Sequence, residues 1–179
     1  MALITNGSQI GRKEEKMSKT ANGLVEYCLA QLGRPYWYGT FGQLATQSLY
    51  LNRKKAYPRY YTAKDFERQY GRKVHDCVGL IKGYFWTHGI DSTEYTYQSN
   101  GMKYVSADML YNLSKRKGAN MDEMPRVPGV AVFMAGHVGV YVGGCWVVEA
   151  RGHAFGVVKT KLCQRPWTKW AFIDGLQYD

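Results

Sequence analysis

Two stretches carry side chains that could do covalent chemistry: Asp76-Cys77-Val78-Gly79-Leu80 and, about sixty positions later, Gly136-His137-Val138-Gly139-Val140-Tyr141-Val142-Gly143. A thiol attacks an amide at neutral pH only when a partner takes its proton, and His137 is a base of the right kind. Asp76 can cap a helix that begins at Cys77. The unpaired amides and dipole of that helix start would favour the thiolate. Cys77 and His137 together predict a cysteine hydrolase.

The run 137–150 determines which residue can orient the imidazole. If Val138, Val140 and Val142 share one face of a strand, His137, Gly139 and Tyr141 share the other. In the next strand Trp146, Val148 and Ala150 form an apolar face and leave Cys145, Val147 and Glu149. Burying both apolar sets together requires an odd number of turn residues, for example Val142-Gly143-Gly144, which places Glu149 opposite His137. A two-residue Gly143-Gly144 turn would instead bury an unpaired carboxylate among valines, at high cost. Glu149 is therefore the expected orienting acid. His153, after Arg151-Gly152, is the alternative third residue. His75 precedes the cap and should point away from the helix start, a cleft-rim residue at most, and His88 reads as a capping or surface residue.

Several elements must position these groups. Leu24, Val25, Cys28, Leu29 and Leu32 recur at helical spacing from Thr20, with Gly33 as a stop. Gly33 to Gly39 reads as a loop or extended segment around Pro35. Residues 40–75 are rich in tyrosine and basic side chains and form an expected insertion over the cleft, with a short capped helix around 63–70. Its tyrosines could equally cover core edges or present flat faces and hydroxyls to a sugar-peptide polymer. Leu80, Ile81, Tyr84 and Phe85 give the nucleophile's helix, 77–88, a buried face. Ser106 caps a further helix to about Lys117, with Met109, Leu110 and Leu113 inward and Lys115-Arg116-Lys117 complementing the C-terminal dipole. Short β-rich runs follow at 130–134, 137–142, 145–150, 155–160 and 167–173. Helices followed by an antiparallel meander of about five strands predict an α+β fold.

Composition limits the alternatives. A chain of 179 residues with 45% hydrophobic content supports one well-buried core. We expect a polar tail or helix over 1–19 and one domain over 20–179, acting as a monomer. The formal charge of +10 favours polyanionic surroundings. Basic residues are scattered through every segment and no zinc-finger, RRM-like or long basic-helix pattern occurs, so specific nucleic-acid binding is not expected and an anionic cell wall fits better. No apolar run reaches membrane-spanning length, and the first residues carry no recognisable export signal. The four cysteines lack C-x-x-C spacing and the histidines are dispersed, which argues against zinc; no metal or cofactor is expected.

In order along the chain, Leu32-Gly33-Arg34-Pro35-Tyr36-Trp37-Tyr38-Gly39, the Cys77 motif and the His137 strand resemble the signatures of the NlpC-type cysteine peptidases of bacterial cell walls, a compact branch of the papain-like fold. The resemblance covers roughly residues 20–173, with 40–75 outside the family's usual core. It implies Cys77 as nucleophile, His137 as general base and then acid, and Glu149 as the polar orienting residue. Tyr36 matches the family tyrosine near the nucleophile, whose hydroxyl could stabilise the oxyanion with the Cys77 backbone amide. Asp76, Val78, Tyr38 and Gly136 are expected to line the oxyanion or substrate region. The chain departs from the family pattern at Val78, often serine, at Glu149, commonly histidine, and at Pro128-Gly129-Val130, usually Pro-Gly-Asp, followed by the short spacer Met134-Ala135-Gly136. An acidic residue at 149 would favour imidazolium and suit a thiolate–imidazolium pair.

The activity implied is hydrolysis of a peptidoglycan stem-peptide amide, between D-glutamate and the following diamino acid, through an acyl-enzyme. Made in the cytoplasm without an export signal, such a protein resembles a phage or prophage lysin that reaches the wall after release. The alternatives are a muramoyl–L-alanine amidase of CHAP type with the same triad, acyl transfer to an amine, and a non-catalytic wall- or nucleic-acid-binding module.

Overall fold

The computed structural model describes residues 18–178. The expected polar segment 1–19 lies outside these residues except for Ser18 and Lys19. Helices α1 (Ala21–Ala30), α2 (Gln47–Ala56), α3 (Cys77–Trp86) and α4 (Ala107–Leu113) each begin at a side-chain cap: Thr20, Thr46, Asp76 and Ser106 accept from an amide three residues on. The strands are β1 (Phe41–Leu44), β2 (Lys73–His75), β3 (Lys117–Gly118), β4 (Ala131–Met134), β5 (His137–Gly143), β6 (Trp146–Ala150), β7 (Val157–Lys161) and β8 (Lys169–Ala171).

The fold is α+β, as expected, but the sheet is not a simple meander. β4 to β7 follow one another, whereas β8 returns to flank β4, and β3 pairs with β8, giving a six-stranded order β3-β8-β4-β5-β6-β7. Leu24, Leu80, Ile81 and Phe85 of α1 and α3 pack on one sheet face against Phe133, Val138, Val140 and Val148. The opposite face is covered too, by Met124, Trp167, Trp170 and Phe172 against Tyr141 and Val147. With both faces covered, a polar side chain on either one is enclosed unless it opens to a cleft.

Several helix details differ from expectation. Leu29 and Leu32 are 39% exposed, and Tyr27 fills the inward position instead, its hydroxyl bonded to His75. α4 stops at Leu113 and leaves Met109 and Leu113 on the surface, because Ser114 bonds back to the Leu110 carbonyl and turns extended, sending 117–118 into the sheet. Lys117 nevertheless donates to the Tyr111 and Asn112 carbonyls at that helix end, as the charge pattern predicts.

Residues 40–75 are more ordered than a covering loop. β1 and β2 pair antiparallel at their two ends, α2 lies between, and the expected helix at 63–70 is only a 3-10 turn, Phe66–Gln69, without a side-chain cap. α2 buries no residue. The segment is held instead by an aromatic cluster of Trp37, Tyr61 and Phe66 with Val74 and Ala45. Each such side chain contributes about 1.5–3 kcal/mol on burial, so this cluster, against which Leu49 and Tyr50 of α2 also pack, anchors the insert. His75, expected at a cleft rim, is a fully buried strand residue bonded to Tyr27; its neutral ring is favoured because burial, then Lys73, lowers its pKa to about 3. Among the described residues no helix is long and apolar enough to cross a membrane.

Candidate active site

Cys77 is the first residue of α3 and is partly exposed. Its position is set by Asp76, whose buried carboxylate accepts from the amide of Gly79 at 2.5 Å and from that of Gly39 at 2.9 Å. One carboxylate thus ties the helix start to the loop that carries Tyr36 and Tyr38. Gly79 lets the helix approach that loop: a Cβ there would lie 1.8 Å from the Thr40 carbonyl oxygen.

The sulfur sits beside the entrance to β5. It lies 4.0 Å from the Gly136 carbonyl oxygen, and the amides of Val78 and Val138 act on it electrostatically. It therefore packs against the residues on both sides of His137. Burial, and then the Asp76 charge, push the Cys77 thiol up to about 12, against the smaller pull of those amides. The helix-start amide of Val78 favours the thiolate, as expected, while burial and the Asp76 charge act more strongly in the other direction.

His137 and Glu149 meet as anticipated, though not directly across the ladder. β5 and β6 pair Val140 with Val148 and Tyr141 with Val147, and a bulge between Tyr141 and Gly143 supplies the odd residue in place of a three-residue turn. Continuing that register sets Glu149 opposite Gly139, so it reaches His137 diagonally on the shared face. His137 Nε2 lies 2.7 Å from Glu149 Oε2. The carboxylate, wholly buried, also accepts from Thr160 Oγ1 at 2.7 Å and from Arg165 Nε and Nη2 at 3.0 and 3.1 Å. Burial alone would raise its pKa, but the bonds from His137, Thr160 and Arg165 outweigh this and hold it below the ordinary value. Trp167 stacks on the imidazole, ring centroids 5.7 Å apart and planes 12° from parallel. Gly139 makes room for that indole, since a Cβ would lie 3.1 Å from it and 2.5 Å from Val147.

A cleft of about 460 Å³ opens in front of the thiol, lined by Tyr36, Tyr38, Asp76, Cys77, Val78 and Gly136 among others. All the residues expected around the oxyanion and substrate are therefore at one place. Tyr36 is enclosed, its pKa raised by burial and then by Cys77 and Asp76, which keeps its hydroxyl protonated. The Gly136 amide donates to Asp108 at 3.2 Å. The insert supplies a wall through Tyr57 and Tyr60, with Tyr60 stacked on Tyr38. His153 is elsewhere: its Nε2 lies 2.7 Å from Asp65 and its ring rests on Phe66, so the alternative third residue latches the insert instead of serving His137.

Thr160, Arg165, Trp167, Lys82, Tyr104 and Asp108 complete the site and were not anticipated. Thr160 was within reach of a period-two reading, since β6 and β7 pair Glu149 with Val158 and place Thr160 diagonally. Arg165 and Trp167 follow a 3-10 turn and carry no local signal of their role.

The model of the NlpC/P60 family matches residues 33–175. Curated protein sequences give no match. Among solved structures, NlpC2 from Trichomonas vaginalis aligns with 86% of this chain and 47% of its own, at 14% identity and TM-score 0.51, so this chain spans about half of that protein's length. The P60 domain of an antigen from M. avium subspecies paratuberculosis aligns with 88% of this chain and 98% of its own, at 20% identity and TM-score 0.51. Both likenesses are of fold, the same helices-then-sheet architecture. With the family match running over well more than half of its length, and the cysteine and histidine segments both inside it, this chain belongs to the NlpC/P60 family.

Proposed function

We propose that the protein is a cysteine peptidase that hydrolyses peptidoglycan, cutting a stem-peptide amide between D-glutamate and the next diamino acid. The observation that carries this reading is the chain from Glu149 to His137 Nε2 at 2.7 Å, with the Cys77 sulfur packed against the residues flanking that histidine. Because Nε2 is committed to Glu149, Nδ1 is the nitrogen that exchanges a proton with the thiol.

Burial raises the Cys77 pKa, and the thiol gives its proton to His137 as sulfur attacks the carbonyl carbon. The oxyanion is received by the Cys77 backbone amide and the Tyr36 hydroxyl. Collapse forms a thioester while imidazolium protonates the leaving amine; water, deprotonated by His137, then frees the acid. Glu149 stabilises the imidazolium throughout, and Arg165 and Thr160 fix the carboxylate. The tyrosine-walled cleft offers flat faces and hydroxyls to the peptide, and the net charge of +10 concentrates the protein on an anionic wall. We read residues 20–179 as one monomeric domain with 40–75 as a cleft-building insert, and the protein as a lysin of phage or prophage type.

Purified walls digested with the protein and analysed by mass spectrometry test the bond assignment. New amino groups on the diamino acid with glutamate-terminated fragments support it; release of lactoyl-ended glycan and free L-alanine termini would make the protein an amidase. Undiminished wall clearing by the Cys77→Ala variant would remove the thiol mechanism.

A further inference from the structure

The catalytic cleft holds one cation whose charge the mechanism leaves unused. Lys82 is 2% exposed, yet it lines the cleft alongside Cys77 and Val78. It stands four residues after Val78 on α3 and so shares its face, and long helical side chains lean back toward the helix start. Its ammonium is thereby carried toward the nucleophile.

The partners of that ammonium are few. Nζ reaches one oxygen, the Val105 carbonyl, at 3.5 Å, and sits over the rings of Tyr104 at 4.3 Å and Trp86 at 5.6 Å. Among the described residues it forms no ion pair with a carboxylate. Asp76 attracts the ammonium through space without contacting it: both its oxygens accept from backbone amides, and Asp108 accepts from Gly136, so no carboxylate fills the N–H positions of Lys82. Three N–H donors on an enclosed charge, with one long bond between them, leave room for an anionic acceptor. Lys82 is also the only cation among the described residues lining the cleft.

We propose that Lys82 is a specificity-determining residue that receives a free carboxylate of the bound peptide next to the scissile amide. The protein thereby selects stem peptides whose acidic residue is unmodified over those in which that carboxyl is a primary carboxamide. The aromatic rings around Nζ shield the pair from water, which strengthens it, and a neutral amide cannot supply the same charge-assisted bond. The inference rests on the proposed peptide substrate, and it deepens that reading by naming which chemical form is taken.

The test uses two synthetic stem peptides, identical except for carboxylate or carboxamide beside the scissile bond. Binding is measured by calorimetry on the Cys77→Ala protein, which reads Lys82 without needing turnover, and kcat/KM is measured on the wild type. Charge-assisted bonding predicts about a ten- to hundredfold preference for the carboxylate peptide in both measurements. Lys82→Met should abolish the preference by weakening the carboxylate peptide alone, chiefly through KM. Equal binding of the two peptides by the Cys77→Ala protein overturns the proposal even if Lys82→Met does not fold. A Lys82→Met loss of the same size for both peptides overturns it as well. A clear binding preference without wild-type cleavage of either peptide supports the Lys82 site and counts against the hydrolase reading instead.

Discussion

Glu149→Gln removes one charge and changes almost no volume, so its effects isolate the charge network. The carboxylate accepts from His137, Thr160 and two nitrogens of Arg165 and is itself wholly buried. An amide of the same shape keeps one oxygen and turns an NH2 toward a donor, leaving Arg165 without a counter-charge. Breaking a buried pair from one side costs about 3–5 kcal/mol. The Arg165 side chain is 19% exposed, so water recovers part of this, and we expect about 2–3 kcal/mol. At about 2–4 °C per kcal/mol for a chain of this size, the thermal midpoint should fall by roughly 4–12 °C. Catalysis should suffer separately, because the imidazole loses both its orientation and the anion that stabilises its protonated form. Oriented general-base chemistry contributes about 10²–10⁴ in rate, so kcat on a synthetic stem peptide should drop at least about a hundredfold with KM little changed, Glu149 being outside the cleft wall. A pH arm checks the cause. The folded-state pKa of Glu149 is depressed below its ordinary 4.5, so its contribution to stability is full above that pH and is lost as pH falls through the folded value. The stability gap between wild type and variant should therefore narrow in acid. A variant with kcat within twofold of wild type would reduce Glu149 to a structural role.

Two further outcomes follow from the geometry. The Cys77 thiol is raised from 9.0 to about 12 in the folded state, so the stability it contributes is complete below pH 9 and is lost as pH rises toward 12; urea titrations at pH 8 and pH 10.5 should show a shallower alkaline loss for Cys77→Ala than for wild type, and equal losses would contradict the enclosure of the sulfur. His153→Ala cuts the 2.7 Å link to Asp65 and uncovers Phe66, so trypsin should cleave after Lys64 or Arg68 several-fold faster, read by mass spectrometry of timed digests, while unchanged cleavage would deny the latch.

How much of this could be read beforehand depends on how local each determinant is. Helix starts at Thr20, Asp76 and Ser106 were legible because a cap is one side chain acting on an amide three residues on. Helix ends were less so: α4 stops at Leu113 because 117–118 finds a partner in β8, more than fifty residues away. α2 was missed because its sequence carries no apolar stripe and only Leu49 and Tyr50 pack, half-buried, on the aromatic cluster. The pairing of His137 with Glu149 was legible from strand parity, since only an odd number of connecting residues buries both apolar faces together; the bulge that shifts the register by two residues was not. The opposing effect of burial on the thiol was not legible, because a helix dipole is visible in sequence whereas burial is a property of the assembled fold. Arg165 and Trp167 escaped notice for the same reason, as ordinary residues brought to the histidine by the chain between β7 and β8.

Sulfur attack assisted by His137 can be read from a labelling experiment. A stem-peptide analogue with an electrophilic vinyl sulfone at the scissile position is incubated with wild type and His137→Ala, and the modified cysteine is located by peptide mass spectrometry. Exposure alone would favour Cys145 and Cys163, which are open to solvent, whereas Cys28 is buried. Attack assisted by the imidazole should modify Cys77 ahead of both, slowed about a hundredfold or more by His137→Ala. Labelling that follows exposure, or a Cys77 rate indifferent to loss of the imidazole, would contradict it.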